Sequence, residues 1–205
     1  MNKLFSQYLQ QNPIIAILRG IQPQNCLAIS QILYDLGIRI IEVPLNSPNP
    51  FISIQRLADT FQHKAIIGAG TVLTDQQVEQ VYQAGGKIII APNLDLQVGI
   101  AAKQRQMLWL PGVFTPSEAF LALNHGADAL KIFPAEAISP QTIKAWRTVL
   151  PVTSKLIAVG GINHHNIHLY LTYCDGIGIG NGLFNVGDDT ATVLNKTKSI
   201  LQTIN

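Results

Sequence analysis

The chain has 205 residues, of which 47% are hydrophobic and only 13% charged, and its net charge is +2. That length fits one domain with a substantial core, and a near-neutral balance without a basic cluster offers nucleic acid nothing to bind. No apolar run approaches the roughly 20 residues that span a bilayer. Residues 1–13 also lack the apolar stretch and cleavage site of a signal peptide, so the cytoplasm is the expected compartment.

In chain order, residues 2–11 are expected to form a helix that caps the N-terminal end of the domain. Short apolar, β-branched runs then recur at intervals of about 20 to 27 residues, the length of a strand–loop–helix unit. They are 14–18, 39–43, 65–68, 87–91, 108–110, 129–133, 156–159 and 176–179. Between them, Pro23 opens a helix over 24–36, Thr74-Asp75 one over 75–84, and Thr115-Pro116 one over 116–125. Gly37, Gly85 and Gly126 sit where such helices should end. A closing helix is expected over 189–203. Cys26 and Cys174 fall in expected helices, with neither metal nor redox spacing.

The runs are apolar throughout rather than alternating, as parallel strands covered on both faces must be. Eight such units without a long linker predict one α/β domain over 1–205, a (β/α)₈ TIM barrel preceded by a short helix. An open doubly wound sheet would carry a Gly-rich nucleotide loop after its first strand, whereas this chain reads Arg19-Gly20-Ile21-Gln22-Pro23 there.

The active face of such a barrel lies at the C-terminal ends of its strands. Of nine lysines, Lys64, Lys87 and Lys155 stand at strand starts, and Lys3, Lys103, Lys144, Lys196 and Lys198 in helical or terminal segments. Only Lys131 lies inside an apolar strand. Burying an unpaired ammonium is costly, so an interior lysine needs a partner or a task. Desolvation also lowers its pKa and frees the amine to attack a ketone. Glu42 is the matching acid, the only one well inside an apolar strand. The two residues could equally form a structural ion pair, and the residues alone leave both readings open.

Arg19 closes the first strand and reads either as a rim arginine capping a helix or as a fork for a carboxylate. Thr71 follows Gly68 and Gly70, which let backbone approach a ligand, and offers both N–H and hydroxyl. Gly160-Gly161 and Gly178-Ile179-Gly180-Asn181-Gly182 end the last two strands, where barrels place phosphate sites from backbone N–H groups and a helix N-terminus. His164, His165 and His168 begin a helix, with 164 and 168 on one face. They lack a nearby acid ligand and read as surface residues rather than a metal site. Trp109 and Trp146 read as packing.

The segments Ile17-Leu18-Arg19-Gly20, Glu42-Val43-Pro44-Leu45-Asn46-Ser47-Pro48, Ile67-Gly68-Ala69-Gly70-Thr71-Val72-Leu73, Ala91-Pro92-Asn93, Pro111-Gly112, Leu130-Lys131-Ile132-Phe133-Pro134 and Ala158-Val159-Gly160-Gly161 occur in this order along almost the full chain. Together they resemble the 2-keto-3-deoxy-6-phosphogluconate/galactonate aldolases. The 42–48 stretch looks like the galactonate branch, since the gluconate branch tends to have arginine at position 46 and threonine at 159. The resemblance implies a class I aldolase that cleaves a phosphorylated 2-keto-3-deoxy sugar acid to pyruvate and glyceraldehyde 3-phosphate. It also implies a homotrimer that needs no metal or other cofactor.

By the same resemblance Lys131 forms the Schiff base and Glu42 moves the protons. Arg19 and Thr71 hold the pyruvate carboxylate, Pro92 and Phe133 wall the methyl group, and Gly160, Gly161, Gly180 and Asn181 take the phosphate. Two departures stand out: Asn181 replaces the usual serine, and Ala91 the usual threonine. The competing readings are a phosphate-binding barrel isomerase, which would not need Lys131 beside Glu42, and a non-catalytic oligomerising barrel.

Overall fold

The computed structural model describes residues 2–204. Helix α1 (Asn2–Gln11) precedes β1 (Ile14–Ile17), α2 (Cys26–Asp35), β2 (Ile40–Pro44), α3 (Pro50–Phe61), β3 (Ile66–Gly70) and α4 (Asp75–Gln83). Then come β4 (Ile88–Ile90), α5 (Leu96–Gln104), β5 (Leu108–Leu110), β6 (Gly112–Val113), α6 (Pro116–Asn124) and β7 (Leu130–Ile132). After a 3₁₀ turn at Ala135–Ala137, the chain continues through α7 (Pro140–Arg147), β8 (Leu156–Val159), α8 (Ile167–Leu171), β9 (Gly176–Ile179) and α9 (Thr190–Gln202).

All strand pairings among the described residues are parallel, in the order β5-β4-β3-β2-β1-β9-β8-β7-β6. The two ends of that order are one strand. β5 pairs with β4, β6 pairs with β7, and only Pro111 separates them. Proline has no N–H for the ladder, so it splits the assignment while its carbonyl still accepts from Lys131 N at 2.9 Å. The nine segments are thus the eight staves of a closed barrel. The run expected from sequence ends at residue 110; the structure carries this stave to Val113.

Period-two alternation sorts each strand into a lumen face and a helix face. Ile15, Ile17, Ile40, Ile66, Ile88, Ile90, Leu108, Leu110, Ala129, Ile157 and Val159 form the inner cluster. Their neighbours Ile14, Ala16, Ile41, Val43, Ile67, Ile89, Trp109, Leu130, Ile132, Ala158 and Ile177 pack outward against the helices. Both faces are therefore apolar. Phe5, Tyr8 and Leu9 of α1 join the inner cluster, and the Tyr8 hydroxyl donates to Lys64 O at 3.2 Å. Helix α1 thus plugs the N-terminal end, which leaves the other rim for chemistry.

Helices α2, α4 and α6 end alike. Gly37, Gly85 and Gly126 have φ of 91°, 82° and 83°. At each, the following residue donates five positions back (Ile38 to Leu33, Gly86 to Val81, Ala127 to Ala122). That is the left-handed glycine cap. Thr115 and Glu118 make a capping box on α6, and Thr74 caps α4. The helices run slightly shorter than expected: α2 begins at 26 rather than 24, and α9 covers 190–202 rather than 189–203.

Two placements differ in kind. Helix α8 starts at Ile167, so His164 and His165 lie in the preceding turn and share no helix face with His168. Asn166 Oδ1 accepts from Asn163 N at 2.8 Å and Asn163 Oδ1 from His165 N at 2.9 Å. These side chains offer the backbone an alternative to helix. Cys174 lies buried in the connection after α8 rather than in a helix. No helix among the described residues is long and apolar enough to cross a membrane.

Candidate active site

Lys131 on β7 and Glu42 on β2 take inward register positions and line one narrow cavity in the lumen with Ile17, Ile90, Leu110, Val159 and Gly178. Both are buried, at 6% and 2% exposure. Among the described residues no ion pair or hydrogen bond joins them, and Glu42 Oε2 has no partner at all. The structural ion pair that the residues alone leave open is therefore not what this geometry holds. A buried charged pair without direct contact leaves much of its desolvation cost uncompensated.

Electrostatics follow from that burial. Desolvation pushes the Glu42 carboxyl up from 4.5 to about 7, against the opposing pull of Lys131 and Arg19. Burial also holds the Lys131 ammonium below its ordinary range; Glu42 opposes this, and the nearby positive Arg19 adds to it. An amine that loses its proton more readily than an ordinary lysine, beside an acid raised toward neutrality, suits nucleophilic attack and proton transfer. The Lys131 Nζ also lies 4.6 Å from the Phe133 ring centroid, so Phe133 walls one side of the amine.

The glycines before Thr71 make room for neighbouring strands rather than for a ligand. A Cβ on Gly68 would lie 2.1 Å from Ile88 O, and one on Gly70 only 1.3 Å from Glu42 Oε2. Gly70 is thus the floor on which the Glu42 carboxylate rests. Sequence reasoning missed this role, although glycine at an inward register position was the signal for it. Thr71 follows with φ of 56°, a left-handed conformation that a β-branched residue seldom adopts. Thr71 thus stands, partly exposed, just past the C-terminal end of β3.

Arg19 is exposed at the end of β1, and its Nη1 donates to Asn46 Oδ1 at 3.0 Å. Pro92, half-buried, follows β4, and its carbonyl packs so closely on Gly112 that a Cβ there would come within 2.2 Å. Ala91, one residue earlier, is fully buried on the helix side, outside the lumen register.

Gly160-Gly161 and Gly180-Asn181 extend β8 and β9, which are neighbours with Val159 opposite Gly178. The two loops therefore stand side by side on the functional rim. Gly160 and Gly161 have φ of 104° and 68°, conformations that glycine tolerates and other residues rarely adopt. Of the helix N-termini expected behind these loops, only the short α8 follows Gly160-Gly161, and a turn rather than a helix follows Gly180. Gly180 O accepts from Leu183 N at 2.8 Å and Phe184 N at 2.9 Å to close a turn, and the loop after Gly161 leads only to the five-residue α8. Backbone N–H groups of turns are the donors available for an anion here.

All ten residues singled out from sequence thus lie at one end of the barrel or in the lumen beneath it. Comparison with known proteins bears on what that end does. The model of the family described as KDPG and KHG aldolase matches residues 5–195. A 2-dehydro-3-deoxy-6-phosphogalactonate aldolase of Escherichia coli K12 is 42% identical over 182 residues, covering 88% of this chain and 89% of the relative. A solved structure described as native KDPGal superposes with a TM-score of 0.91 at 39% identity, over 94% of each chain. A KDPG aldolase from Legionella pneumophila, with pyruvate captured as a covalent carbinolamine intermediate, superposes with a TM-score of 0.83 at 28% identity, over 97% of each chain.

Proposed function

The chain belongs to the KDPG and KHG aldolase family, and on that premise we propose that it cleaves 2-dehydro-3-deoxy-6-phosphogalactonate to pyruvate and glyceraldehyde 3-phosphate through a Schiff base on Lys131. The observation that carries this reading is a lysine buried in the barrel lumen across from Glu42, with no ion pair to account for it. A phosphate-binding isomerase would use the same glycine loops but gives Lys131 no task.

In this mechanism the neutral Lys131 amine attacks the C2 ketone, and loss of water leaves a protonated imine. Glu42 takes the proton of the C4 hydroxyl as the C3–C4 bond breaks. The bond's electrons move into the imine, and the triose phosphate leaves as an aldehyde. The resulting enamine regains a proton at C3, and water hydrolyses the pyruvate imine to free Lys131. A group with a pKa near 7 can both accept the first proton and return the second.

Arg19 and Thr71 receive the pyruvate carboxylate at the rim. Phe133 and Pro92 enclose its methyl group, and Gly160, Gly161, Gly180 and Asn181 hold the phosphate through backbone N–H groups. Asn181, where relatives usually have a serine, leaves those backbone donors in place. The same proposal includes a homotrimer, for which apolar Phe114, Phe120 and Leu121, exposed around α6, supply surface. Light scattering should give three times the 22.3 kDa of the chain. It also sets the reaction in the cytoplasm, in keeping with two free, buried cysteines.

The test is a retro-aldol assay on the two C4-epimeric 6-phosphates. Pyruvate release from both, faster from the galactonate epimer, is the expected outcome; no release from either would overturn the assignment.

A further inference from the structure

Arg19 stands on the loop after β1, exposed to solvent. A long guanidinium side chain in that setting samples many rotamers, and each one frozen on binding weakens the complex. Two hydrogen bonds from the loop after β2 limit that freedom. Asn46 Oδ1 accepts from Arg19 Nη1 at 3.0 Å, and Ser47 Oγ accepts from Gly20 N at 2.9 Å. Ser47 is itself buried at 7% exposure, with its own N–H donated to Pro44 O at 2.9 Å. Gly20 has φ of 79°, and Val186 Cγ2 lies 2.5 Å from where a Cβ would stand. The backbone beside Arg19 is therefore gripped by Ser47 and packed by Val186, while Asn46 fixes the guanidinium itself.

We propose that Asn46 and Ser47 are positioning residues, a two-point clasp that presets Arg19 for the substrate carboxylate. The inference rests on the proposed function, in which Arg19 receives that carboxylate. The chemistry of the pair fits the task. An amide oxygen orients one edge of the guanidinium without cancelling its charge, so the remaining N–H groups stay available for a bidentate contact. An aspartate at position 46 would orient Arg19 equally well but would compete with the substrate for it. The clasp also keeps the positive Arg19 near the lumen, where Lys131 faces Glu42 from β2 and Arg19 from the end of β1. An Arg19 released from the clasp would depress the acidity of Lys131.

The test measures KM, kcat and the pH profile of borohydride trapping with pyruvate in the full-length protein. Asn46→Ala and Ser47→Ala should each raise KM about five- to tenfold with kcat within about twofold, the worth of one orienting hydrogen bond. Ser47→Thr should restore the parent KM, because it keeps the hydroxyl. Asn46→Asp should raise KM at least as much as Asn46→Ala, whereas a merely structural hydrogen bond would let aspartate substitute freely. In both alanine variants the trapping profile should move to higher pH. Unchanged KM and an unmoved profile in both, with trapping on Lys131 intact, would overturn the clasp. Loss of trapping in the parent protein would instead overturn the Schiff-base reading beneath it.

Discussion

Glu42 Oε2 rests where the side chain of residue 70 would begin: a Cβ on Gly70 would lie 1.3 Å from that oxygen and 2.3 Å from Cδ. Position 70 lies on β3, in register with Pro44 of β2, so the acid leans across to the neighbouring strand. Gly70 does not have a left-handed φ, so alanine fits its backbone. The cost of alanine there falls on the carboxylate, which is the movable end of a side chain.

Gly70→Ala is therefore expected to displace Glu42 and spare the barrel. A shift of about 1 Å in a reacting group can cost on the order of a hundredfold in rate. Steady-state kinetics should show kcat down by roughly that factor, with an unchanged circular dichroism spectrum. Full activity would mean that Glu42 needs no fixed position.

The pH dependence follows from the raised Glu42 pKa. Its folded value of about 7 exceeds the ordinary 4.5, so between those values the folded state holds a proton that the unfolded chain has lost. Stability therefore falls as pH rises from about 4.5 to 7 and is level above. Glu42→Gln removes the penalty, which is of the order of 3 kcal/mol at pH 8. Thermal unfolding should show the variant more stable than the parent at pH 8 and equal to it at pH 4. In the parent, kcat/KM should rise through about pH 7 as Glu42 ionises, and Glu42→Gln should lose that limb.

Much of this architecture is legible in the sequence because parallel strands covered on both faces leave continuous apolar runs, and a lysine or glutamate within one stands out. Lys131 and Glu42 are found that way. The glycine caps at 37, 85 and 126 are equally plain. Other features arise between strands and leave no local trace. Pro111 hides the continuity of β5 and β6, because a missing N–H reads as a strand end even where the ladder resumes. Gly70 reads as a site for ligand approach because its true neighbour, Glu42, is 28 positions away. His164 and His168 keep helical spacing, yet Asn163 and Asn166 close a turn in front of the helix. The Asn46–Arg19 contact needs both loops in space.

Epimer choice should depend on Val159, which lines the lumen cavity beside Lys131. The C4 epimers differ in where one hydroxyl points, and an apolar Val159 offers it no partner. Val159→Thr should therefore move the kcat/KM ratio toward the gluconate epimer by about ten- to a hundredfold, or roughly 1–3 kcal/mol. An unmoved ratio would assign specificity elsewhere. Arg19→Ala should lower activity on both substrates, since under the proposed function it removes the fork for their shared carboxylate.

Activity is expected to survive exhaustive chelation. In the proposed mechanism, a protonated imine on Lys131 would withdraw electrons as a divalent ion does in a metal-assisted aldolase. Among the described residues, no three His, Cys, Asp or Glu side chains converge to hold such an ion. Activity lost on chelation and regained with a divalent cation would move the chemistry to the metal mechanism.

The central claim is covalent, and a mass spectrum reads it most directly. After incubation with pyruvate and borohydride, the protein should gain one reduced pyruvyl adduct per chain. Digestion should place it on the peptide containing Lys131, and Lys131→Ala should abolish it. Adduct formation undiminished in Lys131→Ala, or located on another lysine, would contradict the account.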